Sequence, residues 1–216
     1  MAFHGFTQSD FNVFSIPGLE PRMEALKERI RPNLEALGEE MAPFLSDLTG
    51  ETMYVHVAKH ARRSVHPPAE TWVAWSSQKR GYKSLPHFQV GLREQECFAM
   101  FALIYEYPRK PEFARDLLEQ LDEVLPTLPR HFVISQDHTR PETDSLQELG
   151  QEGLQRVLER LQRVKKAEFL CGSLHQHNES LLHKPDVLKK VGNHLFPSCS
   201  TVSTGAAVSG CSRLRL

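Results

Sequence analysis

The amino-acid sequence predicts an α+β fold: an antiparallel β-sheet of about five to six strands with helices packed mainly on one face, and an N-terminal part that is helical. Three observations carry this. Apolar residues (Met23, Leu26, Ile30, Leu34, Leu37, Met41, Leu45, Leu48) recur every three or four positions, the stripe of an amphipathic helix. The period then changes to two, most clearly in PHFQVGLR (86–93), where His87, Gln89, Gly91 and Arg93 alternate with Phe88, Val90 and Leu92. Finally, the strand-like runs cluster, with helical segments between and after them.

Each element follows from local chemistry. Thr7 and Asp10 are spaced for an N-cap with an acidic partner, and Phe6, Phe11 and Phe14 give that first helix an apolar side. Pro32 interrupts the long stripe, so a kink or two helices meeting near Arg31 is expected. TWVAWS (71–76) reads as a strand. The strand at 86–93 has a wet and a dry side, and CFAMFALIYE (97–106), apolar on both sides, reads as its central neighbour across a turn at 94–96. A helix at 111–125 (Phe113, Leu117, Leu118, Leu121, Val124) and a strand HFVISQ (131–136) come next. A helix at 149–165 (Leu154, Val157, Leu158, Leu161, Val164), a strand AEFLCGSL (167–174) and a helix opening at Pro185 complete the pattern. Residues 1–196 are read as one domain. The stretch 197–216 is small, hydroxylated and free of acids, and is expected to be a disordered tail because it buries too little apolar area to offset chain entropy.

With 216 residues, 40% hydrophobic and 25% charged, the composition is that of a soluble globular chain. The longest apolar run, CFAMFALIY (97–105), is too short to span a bilayer, so no membrane partner is expected. MAFHGFTQSDF lacks the basic and apolar regions of a secretory signal, which makes the cytoplasm the expected compartment. Cys97, Cys171, Cys199 and Cys211 form no CxxC pair and are read as free thiols.

Charge is nearly balanced overall but not locally. Residues 56–93 hold Lys59, Arg62, Arg63, Lys79, Arg80, Lys83 and Arg93 against Glu70 alone, a local balance of +6 in a chain of net charge −1. One basic face on an acidic body suits an anion. Lys59, Arg62, Arg63, Lys79, Arg80 and Lys83 are therefore read as ligands for phosphate or carboxylate oxygens. His56, His60, Tyr82, His87 and Gln89 would orient the bound molecule, and Gly91 would leave it room. An enzyme acting on a phosphorylated or carboxylated metabolite, with His60 or His87 as general acid/base, is the alternative. A single-stranded nucleic-acid binder is the second, because Trp72, Trp75, Tyr82 and Phe88 interleave with the cations.

Other motifs are thin. His56 and His60 stand at i, i+4, but Val57 replaces the glutamate of HExxH, and His175, His177 and His183 read as a loop with surface histidines, so no metal site is assigned. GxSxG, GxxxxGK[ST] and GxGxxG are absent, and no residue pattern names a cofactor. In SQDHT (135–139), Asp137 is placed to orient His138, although a strand-end turn is the simpler reading.

Four long stretches carry a resemblance when taken in order: MEALKERIRPNLEALGEEMAPFLSDLTG, HVAKHARRSVHPPAETWVAW, QKRGYKSLPHFQVGL and ISQDHT. Together they resemble the YktB-like family of uncharacterised proteins from Gram-positive bacteria, from about Phe6 to about residue 195. The resemblance implies an α+β cytoplasmic domain and carries over no activity, cofactor or site residue. From about Ser198 the Ser/Thr-rich stretch departs from the apolar ending usual in that family.

Overall fold

Capping sets the start of the first helix. In the computed structural model, which describes residues 3–177, the Asp10 carboxylate accepts from the Thr7 backbone N–H at 2.8 Å and from the Thr7 hydroxyl at 2.9 Å, opening α1 (Gln8–Phe11). α2 (Leu19–Ala25) runs through a widened π turn, Leu26–Ile30, into α3 (Arg31–Thr49). The widening answers Pro32: its ring crowds the preceding turn and it has no N–H, so the Arg31 N–H reaches back five residues to Leu26 O. The interruption near Arg31 is thus a π turn inside one helical run. α3 ends at Gly50, whose φ of 71° is the left-handed cap conformation. The predicted helix opening at Pro185 and the stretch 197–216 lie outside the described residues.

Seven strands form one antiparallel sheet: β1 (Tyr54–Val57), β2 (Glu70–Ser76), β3 (His87–Arg93), β4 (Glu96–Leu103), β5 (Val133–Ser135), β6 (Asp144–Ser145) and β7 (Phe169–Gln176). Their order across the sheet is β1-β2-β3-β4-β7-β5-β6. The strands that the periodicity did not place are β1 and β6, whose four and two residues are too few to display a clear period of two. β4 lies at the centre between β3 and β7, which is why it is apolar on both sides.

The helices α3, α4 (Lys110–Glu119), α5 (Leu121–Val124) and α6 (Leu146–Arg163) pack on one face. There Trp75, Phe88, Leu92, Phe101, Leu103 and Phe169 meet Leu34, Met41, Leu45, Leu154 and Leu158 in the main core. Full burial of each such side chain contributes roughly 1.5–3 kcal/mol before entropy is counted. α3 sits close because Gly38 has no side chain to strike Val55, and its carbonyl accepts the Trp75 indole N–H at 2.9 Å. Among the described residues no helix is long and apolar enough to cross a membrane.

Register fixes what lies on the opposite, helix-free face. His56, Ala74, Gln89, Met100 and Gly172 are successive cross-strand partners, and His87, Ala102, Leu170 and Ser135 form the neighbouring row. A smaller apolar cluster of Phe98, Met100, Ala102, Ile104 and Leu170 floors this face, flanked by Trp72, Val133 and Leu174.

Candidate functional site

The polar side of β3 does turn away from the helices, but it is not wet. His87 is 2% exposed and Gln89 9%. The cover is the chain leaving β2, which folds back through a 3₁₀ turn, Tyr82–Ser84. Tyr82 stacks on His56 with ring centres 4.9 Å apart, meets His87 edge-on at 5.1 Å, and accepts the Trp72 indole N–H at 2.9 Å. The room expected at Gly91 is taken from within: a side chain there would collide with the Phe98 ring and the Thr71 carbonyl.

Hydrogen bonds identify the tautomers. His56 Nε2 lies 2.9 Å from Gln78 O and 3.1 Å from Ser76 Oγ; because a carbonyl only accepts, Nε2 carries the proton. By the same reasoning His87 Nδ1 donates to Leu85 O at 2.9 Å, leaving Nε2 with the lone pair. Burial pushes the His87 imidazole down to about 4, against the bond to Leu85, which raises it. His60 is also pushed down to about 4, by burial first and then by the charges of Arg63, Arg31 and Lys83. Both are neutral at neutral pH.

His60 is held in an uncommon way. It is the one non-glycine described residue in the left-handed region, at φ 51°, and its carbonyl accepts the Arg63 N–H at 3.0 Å to close a turn. Its ring Nε2 is 3.1 Å from Thr71 Oγ1, and the ring meets Trp72 edge-on at 5.5 Å. Lys83 Nζ stands 5.8 Å from the centre of the Trp72 rings. Trp72 is therefore the hub where His60, Lys83 and Tyr82 converge.

Across the face, His138 is paired not with Asp137 but with Glu168. Its Nδ1 lies 2.9 Å from both Glu168 oxygens, and its backbone N–H donates to Oε2 at 2.7 Å. The Tyr105 N–H donates to Oε1 at 3.1 Å. Burial alone would raise the Glu168 carboxyl, but the bonds and charge from His138 and the Tyr105 N–H outweigh it and hold the group below its ordinary value. With Nδ1 fixed on a carboxylate, Nε2 is the His138 nitrogen left for chemistry. Asp137, His138 and Glu168 each bring a potential metal-ligating atom within 4.8 Å of the others. Glu168 is already committed to three donors and Asp137 Oδ1 to Thr139, which describes a hydrogen-bonded knot that fixes His138.

A small cleft opens between Trp72 and His138, with Gln89, Phe98 and Met100 as its floor and the Arg93–Glu70 ion pair (2.9 Å) at one end. Arg93 also pairs with Glu96 at 3.0 Å, so its charge is already answered. Of the predicted site residues, His56, His60, Tyr82, Lys83, His87 and Gln89 are gathered on or beside this face. Lys59, Arg62, Arg63 and Arg80 are exposed on its flanking loops, with Arg63 in the His60 turn, and Lys79 lies over the Tyr54 ring at 5.4 Å. Trp75 and Phe88 belong to the main core, which leaves Trp72 and Tyr82 as the aromatic members of the helix-free side.

Other histidines and the described cysteines sit elsewhere. His56 lies on β1 and His60 in a turn, so they do not share a helix face. His175 is 8% exposed within β7 and 2.9 Å from Ser173 Oγ, rather than on a surface loop, because β7 runs two residues past the predicted strand end; His183 is outside the described residues. Cys97 and Cys171 are buried, and burial pushes the Cys171 thiol up to about 12. The pairing of His138 with Glu168 escaped the sequence reading; its trace is a lone acid heading the apolar strand run AEFLCGSL.

These features define an α+β protein with one helix-covered sheet face and one face bearing a small cleft lined by Trp72, Gln89, Met100 and His138. The chain belongs to the family described as domain of unknown function 1054, whose model matches residues 6–198. It is 55% identical over 191 residues to a UPF0637 protein of Bacillus velezensis, covering 88% of each chain. It is 49% identical over 178 residues to one from Bacillus licheniformis (82% of this chain, 84% of the relative) and 52% over 172 residues to one from Bacillus cytotoxicus (80% and 83%).

Proposed function

We propose that this chain is a cytoplasmic binding domain for a small anionic ligand, phosphate- or carboxylate-bearing, seated on the helix-free face at the His60 turn and the Trp72 hub. One observation carries it: Arg31 of α3, Arg63 of the turn and Lys83 of the 3₁₀ turn all act on a half-buried, neutral His60 whose backbone is held at φ 51°. Cations from three elements that all act on one imidazole suit an anion near it. A strained backbone at the same point fits a site where geometry is kept for a ligand.

Calorimetric titration with inorganic phosphate and with citrate tests it. Saturable binding is expected, weakened about tenfold by Lys83→Ala and by Arg63→Ala, since each removes one charge-assisted contact. Binding unchanged in both variants overturns the reading.

The Glu168-oriented His138 favours a second reading, an enzyme acting on a phosphorylated or carboxylated metabolite with His138 as general base. His60 and His87, at about 4, are too weakly basic for that task near neutral pH. Turnover that survives His138→Ala would remove it.

A further inference from the structure

Six strong cations of the second quarter have no acid to answer them. Among the described residues no carboxylate pairs with Lys59, Arg62, Arg63, Lys79, Arg80 or Lys83. Between residues 52 and 93 the sequence holds a single acid, Glu70, and it is already bound to Arg93 at 2.9 Å. Strand geometry sets these cations out in a line. Tyr54 shares the parity of His56, and Trp72 that of Ala74, the partner of His56, so both rings point to the helix-free side. Lys83 Nζ stands 5.8 Å from the centre of Trp72, and Lys79 Nζ 5.4 Å from that of Tyr54. A neutral ring holds an ammonium in place without cancelling its charge. Tyr54 is paired with Ser76, four residues along β2 from Trp72, so the two rings lie roughly 13 Å apart along the strand. Arg80 follows Lys79 at one end, and Arg62 and Arg63 flank the His60 turn at the other, all three exposed. Tyr82, stacked on His56, lies between. One phosphate cannot reach both ends; a chain of phosphates can.

We propose that this stripe is a docking surface for a single-stranded nucleic acid, whose successive phosphates run from the His60 turn past Lys83 to Lys79 and Arg80. Cations interleaved with half-buried aromatic rings hold single strands with little regard to sequence, the charges on the backbone and the rings beside the bases. Cations spread along a strand also suit a linear partner better than the flat surface of an anionic bilayer. The inference reaches beyond the single-anion reading, in which Lys79 and Arg80 have no part.

Fluorescence anisotropy with a labelled oligouridylate of about twelve nucleotides, beside calorimetry with inorganic phosphate, tests the two readings separately. The expected slope of log K against log salt is about −3, from about −0.7 for each of four neutralised phosphates. Lys79→Ala combined with Arg80→Ala should reduce that slope by about 1.4 and weaken the oligonucleotide at least about tenfold. Inorganic phosphate affinity and the denaturation midpoint should stay unchanged in that variant, which certifies the fold. Tyr54→Leu should weaken the oligonucleotide while leaving inorganic polyphosphate of similar length unaffected. Oligonucleotide affinity unchanged in the double variant, or a slope weaker than about −1, overturns the strand and leaves the single-anion site standing. Polyphosphate bound as tightly as the oligonucleotide, or binding confined to vesicles of phosphatidylserine and phosphatidylcholine, overturns it as well. Oligonucleotide binding with the expected slope, but none of inorganic phosphate, upholds the strand and retires the single-anion reading.

Discussion

His87 couples burial to titration within one residue. It is sealed beneath Tyr82, donates from Nδ1 to Leu85 O and is neutral in the folded state. Its folded value of about 4 lies below the ordinary 6.5, so between these values the unfolded chain binds a proton that the folded chain refuses. Stability from this residue is therefore complete above pH 6.5 and is lost as pH falls toward 4. From pH 7 to pH 5 the loss is about 2 kcal/mol on this account. His60 adds in the same direction, by less because it is more exposed. Urea denaturation at the two pH values checks it: His87→Gln, which retains a donor for Leu85 O but cannot titrate, should shrink the pH 7 to pH 5 difference by most of that amount. An unchanged difference would assign the acid sensitivity to other groups.

Elements were the most legible scale, and their contacts the least. The period of two in 86–93, the apolar run after it and the helical stripe before it report directly on which side of the chain meets the core, so β3, β4 and α3 appear where hydrophobicity puts them. That His87 and Gln89 face away from the helices was readable for the same reason. That they are covered was not, because the cover is a turn placed by Tyr82, and a single aromatic in a loop has no period. The same limit hid Glu168 as the partner of His138, thirty residues apart and joined only when β7 and the 136–139 segment meet. Gly91 illustrates how a correct face assignment can carry the wrong reason. The glycine serves packing between β2, β3 and β4, since Phe98 occupies its side-chain space and Thr71 O closes the gap. Gly91→Ala should consequently cost about 1–3 kcal/mol, through displacement of Phe98 and of the β2–β3 ladder, measured as a lowered denaturation midpoint. A neutral outcome would mean that Phe98 has room to move and that the cleft floor is loose.

At the scale of the whole molecule, charge is arranged rather than accumulated. A local +6 over residues 56–93 is cancelled by −7 elsewhere, so the chain at net −1 exerts no long-range pull on an anion, and capture depends on the field within a few ångströms of the His60 turn. Salt should then act through screening of that local set. At about 0.1 M the Debye length is about 10 Å, comparable with the spacing of side chains around one site, and it shrinks to about 3 Å at 1 M. Phosphate affinity is accordingly expected to fall about threefold to tenfold between roughly 50 mM and 500 mM NaCl. Arg62→Glu, which reverses an exposed charge on the loop beside the turn, should weaken binding at low salt and converge on the wild type at high salt, with the denaturation midpoint unchanged. Calorimetry at the two salt concentrations decides it. If affinity ignores both salt and the Arg62 reversal, the basic loops face only solvent, and whatever enters the Trp72–His138 cleft is recognised by its hydrogen bonds rather than by its charge.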